Sequence, residues 1–236
     1  MDIRRLKRIG GLAHPHPSPL PPREMRLAPI MVFALLLAPC VMLAATSSSP
    51  LDLSEDAVRT KETGIGSLVA DAVRASASAD AALIPAAAFK KASIAAGEIS
   101  GKAICSALVF PDDTVIVLSL QGSQLRGALE KSVSIYPQKS LGFLQVSGVE
   151  LVFDPRQRNA RLVSVKVAGK PLKDDATYRI ATTNSLASGA LGYWRIWTKE
   201  QIVQKSNATL AKAVESFLAA SKELDYRKAV RISVRG

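Results

Sequence analysis

The sequence predicts a single domain of the α/β (α+β) class, with a mixed β-sheet and helices packed on it. Three observations lead there. From residue 57 onward, segments with a helical apolar period alternate with short β-branched runs. Some of those runs follow one another with no helix between them, which an all-parallel sheet does not allow. Finally, 48% of the 236 residues are hydrophobic, enough to fill a core.

Taken in order, "ETGIGSLVADAVRASAS" places Ile65, Leu68, Val69, Ala72 and Val73 on one face of a helix. "DAALI" reads as a buried strand, and a short helix after "AAGEISGKA" carries Ile104 and Leu108. "TVIVLSL" (114–120), bounded by Asp112-Asp113 and Gln121-Gly122, reads as a central strand. Leu125, Ala128, Leu129 and Val133 then return to helical spacing over 123–134. "FLQVSGVELVFD" predicts two strands broken at Ser147-Gly148. "RLVSVKVAGKPL" predicts strand structure around a turn at Ala168-Gly169. "TYRIATT" is a further strand, followed by the Gly-containing "NSLASGALGYW". Leu210, Val214, Phe217 and Leu218 mark a last amphipathic helix, and "AVRISVR" closes with a strand. No internal repeat is present.

The first 45 residues have a different character. Residues 1–24 are basic and proline-rich, without a period to bury, and are expected to be a mis-called or disordered extension. From Met25, a basic Arg26, the apolar run "LAPIMVFALLLAPCVMLAA" and a small-residue exit describe an export signal over 25–45, with 46–56 as linker and 57–236 as the domain. An uncleaved membrane anchor is the alternative, although Pro29 and Pro39 suit a helix interior poorly. Cys40, in "LAPC", faintly resembles a lipidation site, but Pro39 stands where a small residue belongs. Removal of the signal takes six Lys or Arg and two acidic residues, lowering the net charge from +11 to +7. It also leaves Cys105 as the one cysteine, so no internal disulfide can form and a buried, inert thiol is expected. The remaining cations are scattered, with no dense run interleaved with aromatics, so no specific nucleic-acid binding is expected.

The same sequence narrows the chemistry. His14 and His16 are its two histidines, and both precede the domain. A Ser-His-Asp or Cys-His nucleophile needs an imidazole base, and dinuclear phosphoesterase sites mix imidazoles with carboxylates. Asp112-Asp113 and Asp174-Asp175 read as turn residues. Ser78 and Ser106 lack the glycine-flanked nucleophile elbow. Lys61, Lys90 and Lys91 are candidate anion contacts only as exposed point charges.

"RTKETGIGSLVADAVR", "ADAALIPAAAFKKASIAAGEIS", "VFPDDTVIVLSLQGSQLRGALEKSVS", "GFLQVSGVELVFDP", "VSVKVAGKPLKDDATYRIATT" and "LASGALGY" stand in the order of the 5'-nucleotidase family's C-terminal domain, which residues 57–222 resemble. The resemblance implies that domain's fold. It also implies a nucleoside and phosphate pocket that works beside an N-terminal metallophosphoesterase domain with two metal ions; here the export signal occupies that domain's place.

The pocket motifs depart from the family pattern. At the strand exit the family carries Asn-Gly-Gly-Gly, a variable residue and Arg; this chain has Pro85, Ala86 to Ala88, and Lys90. Proline removes a donor, alanine restricts positive φ, and lysine loses the guanidinium fork. In "TNSLASGALGY", Ser185 replaces a base-stacking Phe and Leu191 replaces a nucleoside-binding Asp. Phe110 matches the other stacking Phe or else is a core aromatic. Lys61, Glu62, Gly64, Gly66 and Ser67 retain part of an Arg-Glu-x-Asn-x-Gly-Asn helix entrance, and Arg59 is a candidate phosphate cation.

The resemblance therefore implies substrate-binding candidates Arg59, Lys61, Lys90 and Phe110, with no catalytic residue, metal or cofactor. Tyr193, Trp194 and Trp197 form a candidate replacement surface. The expectation is an exported, periplasmic or secreted domain, non-catalytic alone, whose partner is a nucleotide-like small molecule. The alternatives are the recognition half of a split nucleotidase with a separate metallophosphoesterase subunit, and an envelope polyanion- or protein-binding module. Membrane contact is expected only through an uncleaved signal.

Overall fold

The computed structural model describes residues 46–47, 51–53, 55–221, 223–226 and 230–236. The expected extension, the export signal and Cys40 lie outside them. Within the stretch expected as linker, β1 (Thr46–Ser47) and β2 (Leu51–Leu53) are strands, and α1 (Glu55–Val58) is one helical turn. That stretch is therefore built into sheets: β1 runs between β5 (Gly97–Glu98) and β13 (Glu223–Leu224), while β2 pairs with β4 (Ala92–Ile94).

The principal sheet has five strands in the order β12 (Ile202–Thr209), β6 (Thr114–Gln121), β11 (Thr177–Thr183), β3 (Ala81–Pro85) and β7 (Leu144–Ser147). β11 and β3 are parallel and the other neighbours antiparallel, so the sheet is mixed, as the strand spacing predicts. Every residue of β3 is buried, which explains its unbroken apolar run: a strand covered on both faces has no polar alternation. α2 (Gly64–Ser76) packs on β3 and β7 and against α6 (Leu210–Ala220). Its buried face holds Ile65, Leu68, Val69, Ala72 and Val73, the five residues that its period singles out. α4 (Gly122–Val133) packs on β6, and α5 (Asn184–Ala187) packs on β6 and β11.

A four-stranded sheet, in the order β10 (Lys170–Pro171), β9 (Leu162–Val167), β8 (Val149–Phe153) and β14 (Ile232–Val234), stands beside it in sequence. The predicted break at Ser147-Gly148 is the point where the chain leaves one sheet for the other. Gly148 sits there at φ 72°, and a Cβ on it would run into the Asp80 carbonyl, so no larger residue fits. Ala168 and Gly169, both at positive φ, form the two-residue hairpin between β9 and β10.

Two expectations change. α3 (Gly101–Cys105) ends before Leu108, whose N–H turns back to the Cys105 carbonyl; Leu108 instead bridges to Phe89 through the bonds from Lys90 N–H to the Ala107 carbonyl and from Val109 N–H to the Ala88 carbonyl. β12 has no counterpart in the sequence reading. It is an edge strand with two register shifts and mostly polar, solvent-facing residues, so it lacks the apolar alternation that announces a strand.

Candidate functional site

β3 and β11 run parallel and finish together, at the sheet end where antiparallel β6 begins. Three segments distant in sequence therefore meet. Pro85, Ala87 and Ala88 come from the β3 exit, and Phe110 and Asp113 from the entry to β6. Thr183, Ser185, Leu186, Ala190 and Leu191 come from the β11 exit. Leu210 closes a cavity of about 140 Å³ between them. The β3-exit and β11-exit motif segments and the stacking candidate Phe110 thus line one cavity.

The alanine segment is a 3-10 turn in ordinary helical geometry, with none of its residues at positive φ. Two of its three backbone donors are committed to the protein: Ala86 N–H donates to the Phe143 carbonyl at 2.7 Å and Ala87 N–H to the Leu141 carbonyl at 3.0 Å. An anion therefore finds no free amide at either position. Among the described residues no lysine or arginine lines the cavity. Its ionisable group is Asp113, whose Oδ1 accepts from the Thr114 N–H at 2.8 Å and whose Oδ2 accepts from Ser185 Oγ at 3.2 Å. The rest of the wall is largely carbon, and Phe110 at its mouth is 65% exposed.

Leu191, opposite the alanines' motif in sequence, is held at φ 59°, a left-handed conformation that β- and γ-substituted side chains avoid. It separates the cavity from a second cleft of about 420 Å³ lined by Lys131, Ser134, Ile135, Lys139, Ser140 and Gly142. On its other side the cavity shares Phe110, Asp113 and Ser185 with a cleft of about 490 Å³ that adds Val109, Pro111 and Asp112. A small apolar slot thus lies between an acidic and a basic cleft.

The remaining sequence candidates fall elsewhere. Lys90 is exposed and its N–H pairs with the Ala107 carbonyl. The Lys61 carbonyl accepts from Gln145 Nε2 at 2.9 Å, and the Arg59 carbonyl accepts from the Ser140 N–H at 3.1 Å. None of the three lines the slot. The aromatic trio needs correction as a surface: Tyr193 and Trp197 are 0% and 2% exposed. Their rings stack at 5.1 Å, Tyr193 Oη donates to the Gly142 carbonyl at 2.7 Å, and Trp197 Nε1 donates to the Leu186 carbonyl at 3.2 Å. Burial pushes the Tyr193 phenol well above its usual range. They are the packed support beneath the β11-exit loop, and only Trp194, 62% exposed with Arg195 over its ring, meets solvent. Asp113, which the sequence reads as a turn residue, closes a turn through its N–H to the Phe110 carbonyl and also lines the cavity, which the sequence reading does not anticipate. Its adjacency to Phe110 and to the strand entry was the available signal.

The surviving helix-entrance residues hold the fold. Gln145, fully buried, accepts from Thr63 N–H at 2.9 Å and donates to the Val58 and Lys61 carbonyls. A Cβ on Gly66 would strike the Gln145 side chain. Glu62 accepts from Ser67 Oγ and from the Arg231 N–H, both at 2.7 Å. The Arg231 guanidinium grips Asp71 with two bonds of 2.9 and 2.8 Å and donates to the Val146 carbonyl, tying the C-terminal strand β14 to α2 and β7. Burial beside the Asp71 carboxylate drives the Tyr226 phenol above its usual range. The Cys105 thiol, half-buried, is also raised, first by burial and then by the Glu215 and Asp112 carboxylates.

Residues 43–199 match the family model for the 5'-nucleotidase C-terminal domain, beginning earlier and ending sooner than the stretch whose motifs suggest it. The chain is 32% identical over 152 residues to the trifunctional nucleotide phosphoesterase protein YfkN of Bacillus subtilis, covering 61% of this chain and 10% of that protein. It is 28% identical over 181 residues to a 5'-nucleotidase of Vibrio parahaemolyticus, covering 77% and 31%. Among solved structures it superposes on a 5'-nucleotidase precursor from Thermus thermophilus with a TM-score of 0.72 and 29% identity, covering 81% of this chain and 39% of that one. The chain therefore spans well under half the length of these relatives.

Proposed function

The chain belongs to the family of 5'-nucleotidase C-terminal domains, and from that premise we propose that it is an exported recognition domain that does not hydrolyse nucleotides by itself. One observation carries this reading. The place where the family motifs converge is a slot of about 140 Å³ with a carbon wall, one carboxylate and no lining cation. Pockets for drug-sized ligands begin at about 300 Å³. A base, ribose and phosphate together exceed the slot taken by itself, and the Asp113 charge repels a phosphate placed in it. The absence of histidine after residue 16 also removes the usual imidazole base or metal ligand from the domain.

The test is turnover of nucleoside 5'-monophosphates by the protein purified as the cell produces it, with added divalent metal and no contaminating phosphatase. No phosphate release is expected. Release that tracks the protein through purification overturns the reading.

A second reading, the recognition half of a split nucleotidase, draws support from the exposed apolar side chains Phe110, Leu141 and Leu191 along the slot and the basic cleft. It requires that a separate metallophosphoesterase subunit co-purify with this chain, and that hydrolysis appear only when the two are mixed.

A further inference from the structure

We propose that the slot at the end of the principal sheet takes an organic amine with a compact apolar group: the apolar group fills the slot and the ammonium lies between the Asp113 carboxylate and the exposed face of Phe110. The inference rests on the reading of the site as a recognition pocket that has lost its phosphate contacts.

Size sets the apolar part. A cavity of about 150 Å³ lined by carbon stays dry and accepts a benzene ring, and the slot offers about 140 Å³ walled by Pro85, Ala87, Ala88, Leu186 and Leu191. A ring or branched aliphatic group of that volume fills the slot, and any further part of a ligand extends into the neighbouring clefts.

Charge sets the polar part. In a chain with a net charge of +11, the described residues lining the slot and the cleft it opens into include two carboxylates, Asp113 and Asp112, and no lysine or arginine. A carboxylate has about four lone-pair sites. Thr114 N–H and Ser185 Oγ occupy one on each Asp113 oxygen, so acceptor capacity remains for an incoming donor. Phe110 lines both the slot and this cleft and is 65% exposed, and an aromatic ring attracts a cation placed over its face. A neutral alcohol of the same shape gains less from either group, and a carboxylic acid is repelled by both aspartates.

The experiment is a titration of the full-length protein, followed by amide NMR shifts, with benzylamine, benzyl alcohol, benzoate and AMP at neutral pH. Benzylamine is expected to bind about fivefold or more tightly than benzyl alcohol, with shifts at Ala87, Ala88, Phe110 and Leu191, and benzoate is expected not to bind. Asp113→Asn keeps an oxygen acceptor for the Thr114 N–H, and its amide NH2 can donate to Ser185 Oγ in place of the bond that Ser185 donates now. It should abolish the preference for the amine while leaving benzyl alcohol binding and the melting temperature unchanged. Equal binding of amine and alcohol, or no binding of either, overturns the amine proposal and leaves the non-catalytic reading standing. AMP binding with shifts at the same residues, more tightly than the amine, overturns the proposal together with the emptied phosphate site on which it rests.

Discussion

Two regions of the domain have fared differently. At the entrance to α2, polar side chains are dense and paired: Glu62, Ser67, Asp71, Gln145 and Arg231 bond one another and the backbone. The exits of β3 and β11 hold Pro85, three alanines, Ser185 and Leu191, all of which but Ala86 line a cavity with a largely carbon wall. The difference teaches that polar side chains here bond one another where they join elements of the fold, while the cavity wall is mostly carbon with Asp113 and Ser185 as its bonded polar pair. A buried ion pair with one partner removed leaves an uncompensated charge, whereas a binding group leaves only an unfilled space.

The comparison breaks most visibly at Arg231. Its side chain and that of Asp71 are each about one-sixth exposed, and the guanidinium joins two carboxylates and a strand carbonyl. Arg231→Met should cost about 3–5 kcal/mol in chemical denaturation. A loss under 1 kcal/mol would show that the network is ornamental and that the two regions do not differ in kind. Next comes Gly66→Ala, which forces a methyl into the Gln145 side chain and should cost about 1–3 kcal/mol. At the other region, Ala88→Gly should cost no more than about 1 kcal/mol, mainly through the freedom of the unfolded chain.

What the sequence made legible follows the same division. Helices and interior strands were readable because burial imposes a period: α2 by its five-residue face, β6 by its β-branched run, the sheet-to-sheet passage by Gly148. The edge strand β12 was not, since an edge exposed to water imposes no apolar alternation. At the site, the motif positions were legible and their convergence on one cavity was not, because it depends on β3 and β11 being parallel. Tyr193 and Trp197 carried no sign of whether they face solvent or core. Their indole and phenol donors found backbone carbonyls, which permits full burial.

Leu191 gives a sharper and smaller measure. Its φ of 59° places a branched residue where glycine is comfortable, and it lies at the boundary between the slot and the basic cleft. Leu191→Ala removes apolar contact while keeping the backbone penalty; Leu191→Gly removes both. Glycine should therefore be the more stable of the two by about 1 kcal/mol. The reverse order would mean that the loop changes its backbone when the side chain is shortened, and the slot would then owe its shape to Leu191 rather than to the stacked pair beneath it.

The least effect is expected away from both regions, at Asp154 after β8. The Arg156 side chain and N–H bond its carboxylate at 2.8–3.0 Å and hold its pKa down to about 2. In the unfolded chain the carboxyl returns to about 3.9. Between those values the unfolded state binds more protons, so the stabilisation is fully present above pH 4 and is lost as pH falls towards 2. Because Arg156 is two-thirds exposed, water screens the pair and the effect is small. Melting temperatures from pH 5 to pH 2 should fall less steeply in Asp154→Asn than in the parent. Parallel curves would mean that the pair adds nothing to stability. An acid-labile bond on this strand pair is then no substitute for the Arg231 network, which holds β14 through groups that water reaches far less.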